Sequence, residues 1–240
     1  FNNPTISRNQ LMLPYPAFGA INTTNNDGKS WYHAGQFGVQ KRFSEGAELR
    51  LSYTYTRSRD RMSSPDDLIR DNFRQATLDG PLSRRNLTTS EYEVPHKISV
   101  LGGLNLPFGF RATLIYQGHS GVPYSYTVYG DANADGNGTL DGTHNDLVYV
   151  PLRASDISLA DETQWTELDS LIRSAPCLAA QRGSILRRNS CRYPWVHETL
   201  MRVTKVVPIQ GDHQLEINAD VFNLLHLLNG SWGLVRLVQQ

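Results

Sequence analysis

Residues 47–55 read AELRLSYTY and decide the fold class. The apolar and aromatic side chains occupy every second position of this stretch, and Arg50, Ser52 and Thr54 lie between them. Successive side chains of a β-strand point to opposite faces of the sheet. The period of two therefore predicts a strand with one apolar face and one polar face.

The same alternation recurs along the chain. Residues 97–106, 111–116 and 213–221 follow it, and residues 30–43 and 195–207 are predicted as strands because they lie between turns. Six strands are predicted, at about residues 30–43, 47–58, 94–106, 110–126, 195–208 and 213–227. Residues 231–238 would begin a seventh.

Short and long connections alternate between these strands. Gly-containing turns at residues 44–46, 107–109 and 209–212 close three hairpins, whereas residues 59–93 and 127–194 form long links. This places every short turn on one rim and every long loop on the other, as in outer-membrane barrels. The predicted fold is therefore all-β: an antiparallel, up-and-down transmembrane β-barrel segment with long outer loops.

The segment is expected to belong to a larger barrel. Six or seven strands are fewer than the smallest natural barrel has, and unpaired sheet edges are costly in hydrocarbon. The chain also begins without Met and ends inside a predicted strand, so we expect a fragment. We expect residues 1–240 to form one partial outer-membrane β-barrel, in which hairpins alternate with outer loops. The predicted segments are an outer loop (1–28), a hairpin (29–58), an outer loop (59–93), a hairpin (94–126), a long outer loop with a short helix (127–194), a hairpin (195–228) and the start of the next strand (229–240).

The polar faces of the predicted strands are charged, which indicates a hydrated or plugged lumen. The side chains predicted to face this lumen are Arg50, Lys97, Arg111, Glu216 and Asp220. Aromatic residues cluster near the strand ends, where interfacial girdles are expected. They are Trp31, Tyr32, Tyr53, Tyr55, Tyr116, Tyr124, Tyr126, Trp195 and Trp232.

A set of short motifs carries a family resemblance. They are VPHK (94–97), LPFG (106–109), GVPY (121–124), NDLVYVP (145–151), PCL (176–178), QRG (181–183), RNSCR (188–192), PW (194–195) and ADVFNLL (219–225). Their order and spacing resemble the C-terminal part of the barrel of TonB-dependent outer-membrane receptors, in the Oar-like branch with a carboxypeptidase-regulatory-like N-terminal domain. The chain departs from the family pattern in lacking a terminal aromatic residue.

The resemblance implies a 22-stranded barrel that encloses an N-terminal plug. It implies as partners the outer-membrane lipid, the remaining strands and plug of the same protein, TonB, and an imported ligand that the sequence does not identify. The implied location is the outer membrane of a Gram-negative bacterium, with the long loops extracellular.

One loop resembles the first part of a calcium-binding loop. Oxygen-bearing side chains recur at alternate positions with Gly136 at the sixth position, as in an EF-hand loop, although Gly142 replaces the last glutamate. The candidate Ca²⁺ ligands are Asp131, Asn133, Asp135, Asn137, Thr139 and Asp141. The alternative is an Asn/Asp/Gly-rich series of turns that needs no ion, and no other cofactor is expected.

Two further features belong to the same long loop. Cys177 and Cys191 are the only cysteines and can form a disulfide in an oxidising compartment, the alternative being two unpaired structural thiols. Asp161 and Gln164 fit a capping box, and the apolar residues that follow at helical spacing predict an amphipathic helix of about 12 residues that ends before Pro176.

Composition and motif checks narrow the functional classes. The formal net charge is +0, which gives no reason to expect nucleic acid as a partner. His197 and Glu198 begin a zinc-protease pattern whose second histidine is replaced by Met201, and we expect no enzyme activity. Three interpretations remain: a receptor that imports a ligand, an outer-membrane protein with a structural, adhesive or secretory role, and a soluble all-β calcium-binding module.

Overall fold

A computed structural model describes residues 28–43, 46–63, 77, 79–80, 85–130, 132, 145–161, 163–230 and 232–233. Its strands are β1 (Ser30–Arg42), β2 (Glu48–Asp60), β3 (Thr88–Thr89), β4 (His96–Leu106), β5 (Phe110–His119), β6 (Pro123–Tyr124), β7 (Thr127–Val128), β8 (Asp146–Leu147), β9 (Tyr149–Val150), β10 (Ser184–Ile185), β11 (Cys191–Arg192), β12 (Val196–Pro208) and β13 (Gln214–Phe222). Its helices are α1 (Thr163–Ser174), α2 (Pro176–Ala179) and α3 (Leu224–Leu228).

The six long strands form one antiparallel sheet. Their spatial order is β1-β2-β4-β5-β12-β13, which is also their order in the sequence, and β3 pairs with the end of β2. Consecutive long strands are therefore neighbours, as in an up-and-down meander. This confirms the predicted antiparallel barrel segment, and β1 and β13 form the edges of the sheet among the described residues.

Strand pairing places the alternating apolar residues of all six long strands on one face of the sheet and the residues between them on the other face. Leu51 pairs with Val100, which pairs with Tyr116, whereas Arg50 pairs with Leu101 on the other face. One face is thus apolar and the other mostly polar. The apolar face does not converge on an interior, because Leu49 remains 44% exposed and Ile217 54% exposed. An exposed apolar face on every long strand is what lipid contact requires.

The turn between β4 and β5 is tight. Phe108 and Gly109 both have left-handed backbone angles, with φ of 62° and 74°. A side chain at position 109 would also bring its Cβ to 2.8 Å from the carbonyl oxygen of Val206. Glycine therefore lets this turn pack against the neighbouring strand β12.

Several strand ends differ from the sequence-based prediction. β5 ends at His119 instead of 126, and β13 ends at Phe222, after which the chain forms α3 instead of continuing to 227. Only residues 232–233 of the predicted seventh strand are described, and they are not in a strand. The predicted division of the chain into outer loops and hairpins remains a prediction with respect to which side each loop faces.

The buried hydrophobic residues lie in the long connection and not in the sheet. We call the described residues from 120 to 195 the loop cap. Its core consists of Tyr124, Val150, Ile172, Leu178, Leu186 and Cys191. The predicted loop helix is confirmed as α1, a 12-residue helix whose Ile172 is buried in this core. No helix in the described part of the chain is both long and apolar enough to cross a membrane.

The two faces of the sheet can be tested on adjacent residues of β5. Thr113 lies on the polar face and Leu114 on the apolar face, and both native cysteines are held in a disulfide. We expect a bimane label on Leu114→Cys to be quenched by brominated lipid, and a label on Thr113→Cys to be quenched by aqueous iodide. Equal quenching of the two labels by lipid would contradict the assignment of the faces.

Candidate functional site: the loop cap and the polar face of the sheet

The polar face brings together the residues predicted to line a lumen. Strand pairing places Arg50 of β2, Lys97 of β4 and Arg111 of β5 on this face. The pairing of β12 with both of its neighbours adds Glu216 and Asp220 to the same face. That these side chains share one face is an observation, and that the face lines a lumen remains a prediction.

Charged side chains on the polar face interact across strands. Glu48 accepts hydrogen bonds from Arg50 at 3.4 Å and from Arg111 at 3.2 Å. On the same face, near the other edge of the sheet, Arg202 donates two hydrogen bonds to the carboxylate of Asp220, at 2.6 and 2.7 Å. Both arginine side chains that contact Glu48 are more than half exposed. The face is therefore suited to contact with water or a polar protein surface, and not with lipid.

Sequence reasoning did not identify Glu48 and Arg202 as members of this network. Both lie at positions of the polar period, so their face could have been predicted. Their partners lie on neighbouring strands, however, and they follow only from the register between strands. The register is a tertiary property that the alternation of a single strand does not contain.

The two residues of the predicted capping box both bond backbone N–H groups at the start of α1, but not each other's. The Asp161 carboxylate accepts a hydrogen bond from the Thr163 backbone N–H at 2.9 Å, and the Gln164 side chain accepts one from the Ala160 N–H at 3.2 Å. These Thr163 contacts lower the pKa of the Asp161 carboxyl. The lowered pKa means that this interaction stabilises the cap at neutral pH and that its contribution is lost as the pH falls through the pKa in the folded protein.

The cap core contains a buried cluster of tyrosines. Tyr124 packs against Tyr193 with ring centroids 4.5 Å apart and meets the edge of Tyr126 at 5.4 Å. Burial raises the pKa of the Tyr124 hydroxyl above its ordinary value, and the hydrogen bond with Tyr126 raises it further. The prediction that Tyr124 and Tyr126 belong to an interfacial girdle is therefore wrong, since both lie in the cap beyond the end of β5.

A disulfide joins Cys177 and Cys191, as predicted. Cys177 lies in α2, and Cys191 lies in β11, which pairs with β6. The bond thus connects the helices of the cap to its strands. Gln181 strengthens the same connection, because its amide donates hydrogen bonds to the Cys177 carbonyl at 2.9 Å and to the Ser190 hydroxyl at 3.0 Å.

Arg188 attaches the cap to the end of β2. Its side chain is 2% exposed and donates to the Asp60 carboxylate at 2.5 Å and to the Asp60 carbonyl at 2.7 Å. It also donates to the Thr88 hydroxyl at 3.1 Å, and its backbone N–H donates to Asp79 at 3.1 Å. A buried guanidinium with this set of acceptors is fully compensated. These contacts fix the cap on the sheet.

Other arginines of the cap are also paired with carboxylates. Arg182 pairs with Asp169 of α1 at 2.5 Å, which joins α1 to the segment that follows α2. Arg192 pairs with Glu93, whose side chain is 6% exposed, and donates to the carbonyl of Gly121 at 3.3 Å. The clustered arginines are thus used largely for folding.

Gly121 marks a close approach within the cap. A Cβ at this position would lie 2.0 Å from the backbone carbonyl oxygen of Tyr193. Any side chain there would therefore displace the segment that leads into β12.

Aromatic and histidine rings form a belt on the apolar face of the sheet. The belt lies near the cap end of the strands. The Tyr53 hydroxyl is 2.8 Å from Nδ1 of His96, and the Tyr116 hydroxyl is 2.8 Å from Nδ1 of His197. Trp195 stacks between the two histidines, with ring centroids 6.1 Å from each. Such a belt is typical of a membrane–water interface. Tyr32 is an exception to the predicted girdle, because it lies on the polar face opposite Ser58.

The candidate calcium ligands lie outside the described residues, so the calcium site remains a prediction. Within the described part of the chain, no group of three His, Cys, Asp or Glu side chains is placed to hold a metal ion. Asn145 directly follows the candidate loop, is 2% exposed, and neither polar atom of its side chain has a hydrogen-bond partner among the described residues.

Comparison with known proteins gives one match. A family model described as "Outer membrane beta barrel domain" matches residues 1–229. No curated protein and no solved structure is similar enough to match.

Removal of the disulfide should loosen the cap but not the sheet. Closing a loop of this length stabilises a folded state by about 3 kcal/mol in the chain-entropy model. We expect the Cys177→Ser/Cys191→Ser variant to be cleaved within the cap by trypsin several times faster than the wild type. Heat-modifiable migration, which reports the barrel, should not change. Equal cleavage rates with and without the disulfide would contradict this assignment.

Arg188→Met should detach the cap from β2. Removing one partner of a buried ion pair costs about 3–5 kcal/mol, because the other charge stays buried without compensation. We expect the cap to become susceptible to protease at clearly lower urea concentration. Arg153→Met is the control, because Arg153 pairs with Asp156 at the surface and is 76% exposed, so its loss should leave the cap unchanged. The same shift in both variants would contradict the anchoring role.

Proposed function

Because the chain belongs to the outer membrane β-barrel domain family, we propose that it forms part of a receptor that imports a ligand through a plugged barrel of the bacterial outer membrane. The finer assignment to the TonB-dependent receptors and their Oar-like branch is part of the same proposal. It rests on the ordered motifs, which include VPHK at 94–97 and RNSCR at 188–192.

The polar face of the sheet carries this proposal. Arg50, Arg111 and Arg202 have side chains that are at least half exposed, on the face opposite the lipid-compatible one. A small barrel fills its interior with packed side chains, whereas a large barrel encloses water or a plug. Long charged side chains that extend from the sheet favour the second arrangement. They would bind the polar surface of a plug.

The loop cap supports a role in ligand capture. It has its own hydrophobic core, a disulfide and a buried ion pair to β2, and it sits at one end of the sheet. Such a module holds a fixed shape on the rim of a barrel. We propose that this rim is extracellular and that residues 127–194 provide part of the ligand-binding surface.

The mechanism that the resemblance implies has two stages. Outer loops would first bind the ligand from the medium. TonB, driven by the proton gradient across the inner membrane, would then displace the plug and release the ligand into the periplasm. In this scheme the strands described above have a passive role, because they form the wall against which the plug moves.

The same cap also suits a structural or adhesive role without transport. A rigid, disulfide-linked surface module can bind another surface without any movement of a plug. The two functions differ in their need for energy. Import requires the proton gradient, whereas adhesion does not.

Import can be tested with a complex growth medium as the probe. Cells with and without the intact protein are incubated in it, and mass spectrometry measures which components disappear. We expect at least one component to be depleted only by cells that carry the protein, and only when no protonophore is present. Matching depletion profiles for the two kinds of cell would contradict import. Adhesion to a surface that persists with the protonophore would then favour the structural role.

A further inference from the structure

The charged side chains on the apolar face of the long strands are all cationic. On the six long strands, this face carries four cationic side chains and no Asp or Glu. The four are Lys41, Arg57, Arg59 and Lys205. The polar face, in contrast, carries charges of both signs, such as the Arg202–Asp220 pair. Charge of a single sign on a lipid-compatible surface indicates a partner of the opposite charge.

These cations lie at the two ends of the apolar band. Lys41 and Lys205 lie near the short turns, where their ammonium groups sit 4.9 Å from the Phe43 ring and 4.6 Å from the Phe110 ring. Arg57 and Arg59 lie at the opposite end, close to the cap. Long cationic side chains at both ends of a span are placed to reach the membrane interfaces.

Arg57 and Arg59 lie beyond the aromatic belt. Tyr55 is the last ring of the belt on β2, with its centroid 5.5 Å from that of His96, and Arg57 and Arg59 follow it by two and four residues. At about 3.3 Å per residue and a tilt of about 40°, the two arginine backbones stand roughly 5–10 Å above Tyr55 along the membrane normal. Aromatic belts lie at the level of the headgroups, and long arginine side chains can reach back toward that level, so both guanidinium groups can contact the headgroup layer.

The residues paired with these arginines complete a site for an anion. Trp31 lies opposite Arg59, with the guanidinium 5.6 Å from its ring centroid, and His33 lies opposite Arg57. Arg57 itself is exposed on the lipid-compatible side. The four side chains present two guanidinium groups, an indole and an imidazole on two adjacent strands. Guanidinium groups bind phosphate through paired N–H donors.

We propose that Trp31, His33, Arg57 and Arg59 form a binding site for the phosphate of a lipid headgroup in the leaflet on the cap side of the membrane. The aromatic belt sets the depth of the site, and the two arginines supply its charge. The site goes beyond the proposed import function and does not depend on it, because it lies on the outside of the barrel wall.

Binding can be measured by native mass spectrometry on the intact protein in a neutral detergent. The probes are lipid A with both phosphates and the same lipid A after removal of the phosphates. We expect the wild type to retain the phosphorylated form preferentially. Each cation near an anionic lipid surface contributes roughly a fivefold gain in affinity, so Arg57→Gln/Arg59→Gln should weaken retention about 20-fold.

Arg50→Gln is the matched control, because Arg50 lies on the same strand but on the polar face. It should retain the phosphorylated lipid as the wild type does. The single variant Arg57→Gln changes only an exposed side chain and should weaken retention about fivefold even if the double variant fails to give heat-modifiable migration. The proposal is overturned if the wild type shows no preference for phosphate, if Arg57→Gln retains the lipid as well as the wild type, or if Arg50→Gln loses as much.

Discussion

Backbone hydrogen bonding between the long strands is the interaction on which the rest of the structure depends. It satisfies the N–H and C=O groups that a lipid environment would otherwise leave unpaired. It also fixes the register, and the register decides which side chains share a face. With all six strands in phase, Leu51, Val100 and Tyr116 form one continuous surface, and the residues between them form another. A sheet with two such different surfaces is suited to a position with lipid on one side and water or polar protein on the other.

The loop cap follows a different physical rule. Its stability comes from an apolar core, a disulfide and arginine–carboxylate pairs, which is how small extracellular domains are stabilised. Polar contacts made by Arg188, Asn189 and Ser120 attach it to the sheet, and the Arg188 contact is a buried ion pair. The molecule thus combines a wall stabilised by backbone pairing with a surface module stabilised by side chains.

The alternating pattern and the positions of the turns were together sufficient to predict the six long strands, their antiparallel order and the polar residues that share a face. It was sufficient because the alternation of side chains in a strand is a local property. The end of β5 was not predicted, since the segment after it packs against the cap, as at Gly121. The end of β13 was not predicted either, since Asn223 adopts a left-handed backbone conformation there and α3 begins. The pairing of Asp60 with Arg188 could not be predicted either, because 128 residues separate them. The start of α1 and the disulfide were predicted because they involve short sequence separations.

The separation of the cap core from the sheet has an evolutionary consequence. None of the buried apolar residues of the cap belongs to a long strand of the sheet. Substitutions on the outside of the cap therefore do not disturb the span across the membrane. A lineage can diversify the outer surface of the cap while it keeps the same sheet, provided that the Arg188 contacts persist.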